Sequence, residues 1–124
     1  MYRIAICDDD LVFGSLLEQY LQNFAKTRRI PIDVLVFAQG EEYLEFLIEE
    51  FPVDLIFLDI QFEKGLDGVQ IGKELRADIK NEMTQIIYIS GIESYAMQLF
   101  QNRPMDFLVK PVKQERVDHI MEEY

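Results

Sequence analysis

Short apolar segments alternate along the chain with longer segments in which hydrophobic residues recur every three to four positions. The short segments predict five β-strands, which are Ile4–Cys7, Ile32–Phe37, Leu55–Leu58, Ile86–Ile89 and Phe107–Val109. The longer segments predict five helices, within 12–24, 43–51, 71–79, 95–100 and 117–124. Because the strands are continuously apolar and alternate with helices, we expect a single α/β domain: a five-stranded parallel sheet with five alternating helices, doubly wound.

Composition and charge narrow the class of protein. The formal net charge of −11 over 124 residues repels phosphate backbones, so we expect no direct nucleic-acid binding by this chain. No apolar run approaches the roughly 20 residues that span a bilayer, and no signal peptide precedes the first strand, which predicts a cytoplasmic protein with no membrane partner. The single cysteine, Cys7, excludes an internal disulfide and is interpreted as a core residue. The single histidine, His119, leaves mainly oxygen ligands for any metal.

Polar residues follow four of the predicted strands at the point where each strand ends. Asp8 and Asp9 follow the first strand, Asp59 the third, Ser90 the fourth and Lys110 the fifth. In an open parallel sheet these ends share one edge, where ligands bind. Crowded carboxylates repel one another unless a cation neutralises them, and such oxygen ligands suit Mg²⁺. An aspartate beside the ion can attack a phosphoryl group, while a lysine and a hydroxyl contact the phosphoryl oxygens.

Each of these residues also has a purely structural interpretation. The acidic run 8–10 directly precedes a helix and could cap it. Asp59 could be a turn residue, Ser90 a loop start and Lys110 a solvated side chain before a proline. Their joint placement at the ends of different strands favours the functional interpretation.

Four segments, IAICDDD, DLIFLDI, IIYIS and DFLVKP, stand at separations that together resemble the receiver domain of two-component response regulators. The resemblance covers essentially the whole chain and implies a flavodoxin-like (βα)5 receiver domain over residues 1–124, with the output domain absent. It implies that a sensor histidine kinase phosphorylates Asp59 in a Mg²⁺-dependent reaction. Such a domain is a phosphoacceptor that catalyses its own phosphorylation and dephosphorylation, and it is not an enzyme with a separate substrate.

The same resemblance assigns a role to each site residue. It implies that the magnesium ligands are Asp8, Asp9, Asp59 and the backbone carbonyl of Gln61. It implies that Ser90 and Lys110 contact the phosphoryl group, and that Ser90 and Phe107 form the switch, with Phe107 standing where receivers often carry tyrosine. The peptide bond between Lys110 and Pro111 is expected to be cis.

The proline-free loop IQFEKGLDG after the phosphoacceptor and the segment SYAMQLFQNRPMDFLVKPV are similar to receivers that precede LytTR-type DNA-binding domains. This similarity implies transcription regulation as the output of the signal. A homodimer, or the docking of a partner, is expected through the fourth helix, the fifth strand and the fifth helix, because Phe107 stands beside the crevice there and Tyr95, Phe100 and Tyr124 supply aromatic side chains.

Three alternatives remain open at this point. A haloacid-dehalogenase-like phosphatase would use Asp8 and Asp10 as nucleophile and acid, but this assignment leaves Asp59 unexplained. A phosphorylation-independent pseudo-receiver, acting as a binding module, is disfavoured because the acidic residues, Ser90 and Lys110 are all present. FMN binding on the same topology is disfavoured because the acidic turn would repel the FMN phosphate.

Overall fold

The computed structural model describes residues 2–39, 42, 53–60, 68–77, 83–90 and 103–124. Its strands are β1 (Tyr2–Cys7), β2 (Ile32–Phe37), β3 (Leu55–Asp59), β4 (Gln85–Ser90) and β5 (Asp106–Val109). Its helices are α1 (Leu11–Arg28), α2 (Gly68–Ala77) and α3 (Gln114–Glu123). The helices predicted within 43–51 and 95–100 lie outside the described residues.

All five strands form one parallel sheet in the order β2-β1-β3-β4-β5. The predicted parallel α/β fold is therefore confirmed. The chain passes from β1 to β2 on one side and then resumes with β3 on the other side of β1. The order of the strands thus reverses between β1 and β3, which is where a crevice opens beyond the carboxyl ends of the strands.

Alternate strand residues enter two hydrophobic clusters, one on each face of the sheet. On one face, Ile4, Ile6 and their neighbours pack against α1 and α3. On the opposite face, Ala5, Cys7 and their neighbours pack against Ile71 and Leu75 of α2. Every residue of β3 is buried, which explains why this central strand is continuously apolar up to its last residue.

The start of α1 separates the roles of the acidic residues before it. Asp10 is the N-cap, and its Oδ1 accepts a hydrogen bond from the backbone N–H of Phe13 at 3.1 Å. Asp8 Oδ1 accepts from the backbone N–H of Asp10 at 2.9 Å. The capping interpretation therefore holds for Asp10, the last residue of the acidic run. Within the residues that the structure describes, no helix combines the length and apolar character needed to cross a membrane.

Candidate phosphoacceptor site

The register of β1 and β3 brings the acidic residues together. Cys7 pairs with Leu58, so Asp8 and Asp59 follow directly on neighbouring strand positions. One carboxylate oxygen from each of Asp8, Asp9 and Asp59 lies within 4.8 Å of the other two. Asp8 is fully buried and Asp59 is 6% exposed, while Asp9 is half-buried. The three carboxylates predicted to meet therefore form one cluster at the reversal point of the sheet.

The two carboxylate oxygens of Asp8 differ in their partners. Oδ1 accepts the hydrogen bond from Asp10, whereas Oδ2 is buried and makes no hydrogen bond within the part of the chain that the structure describes. Lys110 Nζ lies 3.1 Å from Oδ2, and this contact has the geometry of an ion pair. A buried oxygen without a hydrogen bond, next to two further carboxylates, is the donor set that a hard divalent cation prefers. The residues present therefore fit Mg²⁺, with Asp8, Asp9 and Asp59 as ligands.

Lys110 supplies the positive charge of the cluster. Its Nζ lies 3.1 Å from Asp8 Oδ2 and 3.8 Å from Asp59 Oδ2. The ammonium also lies 4.5 Å from the centroid of the Phe13 ring. Its backbone N–H donates to the carbonyl of Ser90 at 2.9 Å, and its peptide bond with Pro111 is cis. The lysine at the end of β5 thus reaches two of the clustered carboxylates.

Ser90 and Phe107 lie on the two strands at the β5 side of the site. Ser90 is the last residue of β4 and is 6% exposed, one position beyond Ile89, which pairs with Asp59. Phe107 is half-buried on β5 and stacks on Tyr88, with ring centroids 6.0 Å apart and an interplanar angle of 26°. Ser90 is thereby placed at the same edge as Asp59, and Phe107 packs further back along the sheet.

Gln61, which the family resemblance proposes as a backbone ligand, lies outside the described residues.

Cys7 is buried at the end of β1, and burial raises the pKa of its thiol, with a further increase from the charge of Asp8. His119 is exposed on α3 and pairs with Glu123 at 2.8 Å, one turn later. Cys7 is therefore an inert core residue and His119 a surface residue.

Sequence reasoning missed two aromatic residues that contact the β5–α3 segment. Phe13 and Tyr20 lie within the predicted helix 12–24, where the helical periodicity indicates only which residues share a face. The structure places the Phe13 ring beside the Lys110 ammonium and the Tyr20 hydroxyl on the carbonyl of Val112. Their spacing along α1 was visible in the sequence, but nothing local indicated the distant segment that they contact.

A five-stranded parallel sheet with an acidic cluster, a hydroxyl and a lysine at its carboxyl edge defines the receiver class of α/β proteins. The family model of the response regulator receiver domain matches residues 4–122, so the chain belongs to this family.

Curated relatives include sensory transduction proteins named LytT. The chain is 27% identical to LytT of Bacillus cereus over 124 residues, which cover all of this chain and 47% of that protein. It is 33% identical to LytT of Oceanobacillus iheyensis over 79 residues, covering 64% of this chain and 32% of that protein. The chain thus spans a third to a half of the length of these relatives.

Solved structures share the fold. The response regulatory domain of protein mrkE from Klebsiella pneumoniae superposes with a TM-score of 0.85 at 22% identity, covering 98% of this chain and 93% of that one. The receiver domain of a sensor histidine kinase from Pseudomonas aeruginosa superposes with a TM-score of 0.81 at 21% identity, covering 99% and 96%. That second structure has a magnesium ion coordinated in its active-site cleft.

Proposed function

We propose that this domain is a phosphorylation-activated switch in which Asp59 accepts a phosphoryl group from a sensor histidine kinase in a Mg²⁺-dependent reaction. The observation that carries the proposal is the position of the Lys110 ammonium between Asp8 and Asp59, beside a carboxylate cluster that fits a divalent cation. Asp59 is 6% exposed, whereas Asp8 is fully buried, and Asp59 ends a strand at the edge of the sheet where the crevice opens.

Phosphoryl transfer to Asp59 depends mainly on neutralisation of negative charge, because the phosphoryl group and the carboxylate cluster are both anionic. A bound Mg²⁺, held by Asp8, Asp9 and Asp59 with Gln61 as the proposed backbone ligand, would neutralise phosphoryl oxygens. An Asp59 carboxylate oxygen attacks the phosphorus of a phosphohistidine, the P–N bond breaks, and its electron pair returns to the imidazole nitrogen. Lys110 then contacts a phosphoryl oxygen and compensates the added charge.

The signal leaves the site through Ser90 and Phe107. The Ser90 hydroxyl moves toward a phosphoryl oxygen, and Phe107 reorients in the space beside β4, which shifts a two-state surface. Arg116 of α3 donates to Asp106 at 2.8 Å and to the carbonyl of Phe107 at 3.1 Å, so the switch residue is bonded directly to α3. The surface of β5 and α3 therefore responds to the site.

This surface is where a second copy of the chain is expected to dock. A groove of about 530 Å³ runs along it, lined in part by Phe107, Val109, Arg116 and His119. The fourth helix of the sequence prediction, which would complete the interface, lies outside the described residues. Self-association that rises on adding beryllofluoride, measured by sedimentation, is the expected result. Unchanged association would contradict the homodimer. Transcription regulation is the proposed output and rests on the resemblance to receivers that precede LytTR-type DNA-binding domains. The relatives named sensory transduction protein LytT extend beyond the matched segment, which leaves room for an output domain in those proteins.

Incubation with acetyl phosphate and Mg²⁺, followed by intact-mass analysis, tests the phosphoacceptor. We expect one added phosphoryl group in the wild type and none in Asp59→Asn. Asp10→Asn is the matched control, because it removes a neighbouring carboxylate and asparagine caps a helix equally well. Equal labelling of the Asp59 variant would place the acceptor elsewhere.

A turnover assay with p-nitrophenyl phosphate, run beside the labelling experiment, separates the alternatives. A haloacid-dehalogenase-like phosphatase would turn over p-nitrophenyl phosphate steadily and would lose this activity in Asp8→Asn but keep it in Asp59→Asn. A pseudo-receiver would take up no phosphoryl group from any donor. We expect no steady turnover and a single covalent addition.

A further inference from the structure

Two aromatic residues of α1 contact the segment that joins β5 to α3. The Phe13 ring lies beside Lys110, whose Nζ is 4.5 Å from the ring centroid. Tyr20 stands about two turns further along the same helix and donates its hydroxyl to the carbonyl of Val112 at 3.1 Å. We propose that Phe13 and Tyr20 are positioning residues that hold the Lys110 ammonium beside Asp59. The proposal rests on the proposed role of Lys110 in binding the phosphoryl group.

Phe13 acts at the ammonium end of the lysine. Phe13 is only 8% exposed, so its contact with Lys110 is largely shielded from water. A cation is attracted to an aromatic face most strongly when water is excluded from the contact. The ring carries no formal charge. It therefore restricts where the ammonium sits without neutralising it, and the positive charge stays available to a phosphoryl oxygen. A third carboxylate in this place would compete with the phosphoryl group instead.

Tyr20 acts at the backbone end of the same segment. Its hydroxyl bonds to Val112, two residues after Lys110, and its own backbone carbonyl accepts a hydrogen bond from Gln114 Nε2 at 2.8 Å. On the other side, the backbone N–H of Lys110 donates to Ser90. The segment is thus bonded to α1 and to β4 at once. A lysine side chain has many rotamers, so the location of its ammonium depends on a fixed backbone as well as on contacts at its tip.

The choice of variants distinguishes a packing role of Phe13 and Tyr20 from a role in positioning Lys110. Tyr20 is half-buried and packs its ring against the core of the α1 face, and Tyr20→Phe keeps this ring while removing the hydroxyl. Phe13→Leu keeps an apolar side chain and removes the π-face. The matched control is Asn23→Ala, which removes the hydrogen bond from Asn23 to Gln114 between α1 and α3. That bond reaches neither Lys110 nor Val112.

The experiment measures the initial rate of phosphorylation by phosphoramidate at saturating Mg²⁺, beryllofluoride affinity, and the Kd for Mg²⁺ alone. We expect Tyr20→Phe to slow phosphorylation about five-fold, the worth of one hydrogen bond. Phe13→Leu is expected to slow it roughly three- to ten-fold. Beryllofluoride affinity falls in parallel, while Mg²⁺ binds at least as tightly as in the wild type, because Asp8, Asp9 and Asp59 are intact and a displaced ammonium competes less for them. Asn23→Ala should behave as the wild type.

The outcomes separate this proposal from the function on which it rests. If the wild type is phosphorylated and a variant reacts at the wild-type rate, that residue has no positioning role. If a slowed variant also loses Mg²⁺ affinity, or if Asn23→Ala is slowed equally, the contacts serve general stability and the proposal is overturned. If the wild type takes up no phosphoryl group, the proposed function fails. The NMR proton shifts of the Lys110 εCH₂ group then test separately whether Phe13 and Tyr20 position the ammonium. A ring-current shift of these protons that is lost in Phe13→Leu and reduced in Tyr20→Phe supports positioning, and unchanged shifts refute it.

Discussion

Replacement of Lys110 by methionine should destabilise the metal-free domain, and Mg²⁺ should reverse most of this loss. The substitution keeps the length of the side chain and its apolar stem while removing the charge. Asp8 is fully buried, and its Oδ2 lies 3.1 Å from the ammonium that the substitution removes. The variant therefore retains a buried carboxylate close to Asp9 and Asp59 without its cation.

The structure sets the size of the effect. Removing one partner of a fully buried ion pair costs about 3–5 kcal/mol. The Lys110 side chain is 25% exposed, so water screens part of the interaction, and we expect a loss of about 2 kcal/mol in EDTA. Mg²⁺ and the Lys110 ammonium neutralise the same carboxylates, and Lys110→Met consequently binds the ion more tightly than the wild type. At saturating Mg²⁺ we expect the difference in unfolding free energy to fall below about 1 kcal/mol.

Urea unfolding of Lys110→Met and the wild type, in EDTA and at saturating Mg²⁺, measures the difference in unfolding free energy under each condition, provided that the m-values of the two proteins agree. Lys113→Met is the matched control, since Lys113 is exposed in the same segment and makes no side-chain capping bond to α3. Its stability should stay within about 0.5 kcal/mol of the wild type in both conditions. A loss in Lys110→Met that is the same with and without Mg²⁺ would refute the idea that lysine and metal share the carboxylates.

Three further results are expected. Burial and the neighbouring Asp8 charge raise the pKa of the Cys7 thiol, so iodoacetamide at pH 8 should label it only after unfolding in denaturant, and rapid labelling of the native protein would contradict this. Asp10→Ala should lose about 1 kcal/mol of stability and Asp10→Asn much less, as measured by urea unfolding, and equal losses would argue against the cap. Val12 stands four residues after Asp8 in the first turn of α1 and is 82% exposed, so Val12→Ser should slow phosphotransfer from the proposed kinase about tenfold and leave labelling by acetyl phosphate unchanged.

The strands were predictable because burial on both faces leaves a clear trace in the sequence. Every residue of β3 is buried, and the apolar run that predicted it ends one residue short of the observed strand, at Leu58. The last strand residue is Asp59, whose carboxylate belongs to the acidic cluster. This polar residue shortened the predicted strand by one residue, but the strand itself was still predicted.

The roles of the individual residues in the acidic run 8–10 could not be assigned from the sequence alone. Capping and metal binding both favour carboxylates before a helix, so the sequence alone left the two interpretations open for the run as a whole. The structure separates the three residues, because Asp10 Oδ1 accepts a hydrogen bond from the backbone N–H of Phe13, while the carboxylates of Asp8 and Asp9 join that of Asp59. The cap interpretation therefore holds for Asp10, while the carboxylates of Asp8 and Asp9 join the cluster for which Mg²⁺ binding is proposed.

The contacts of α1 with the β5–α3 segment could not be predicted at all. The hydrogen bond between Tyr20 and Val112 joins residues 92 positions apart, and helical periodicity describes only which face of α1 carries Tyr20. The same holds for the Phe13 ring and Lys110, which the fold brings together. Such contacts follow from the strand order and from the packing of α1 beside α3, both of which are tertiary properties.

The lysine segment and Phe107 pack on opposite faces of the sheet. Leu108 and Val112 belong to the cluster that packs against α1 and α3, together with Phe13, whereas Phe107 packs into the opposite cluster beside Tyr88. The lysine segment therefore packs on one face of the sheet, and Phe107, the proposed aromatic switch, packs on the other. Since the sheet separates them, Phe107 can reorient without breaking the bonds that α1 makes to the lysine segment. We therefore expect phosphorylation to change hydrogen exchange around β4 and β5 while exchange in α1 stays unchanged, because a fixed lysine is what turns the added phosphoryl charge into movement elsewhere.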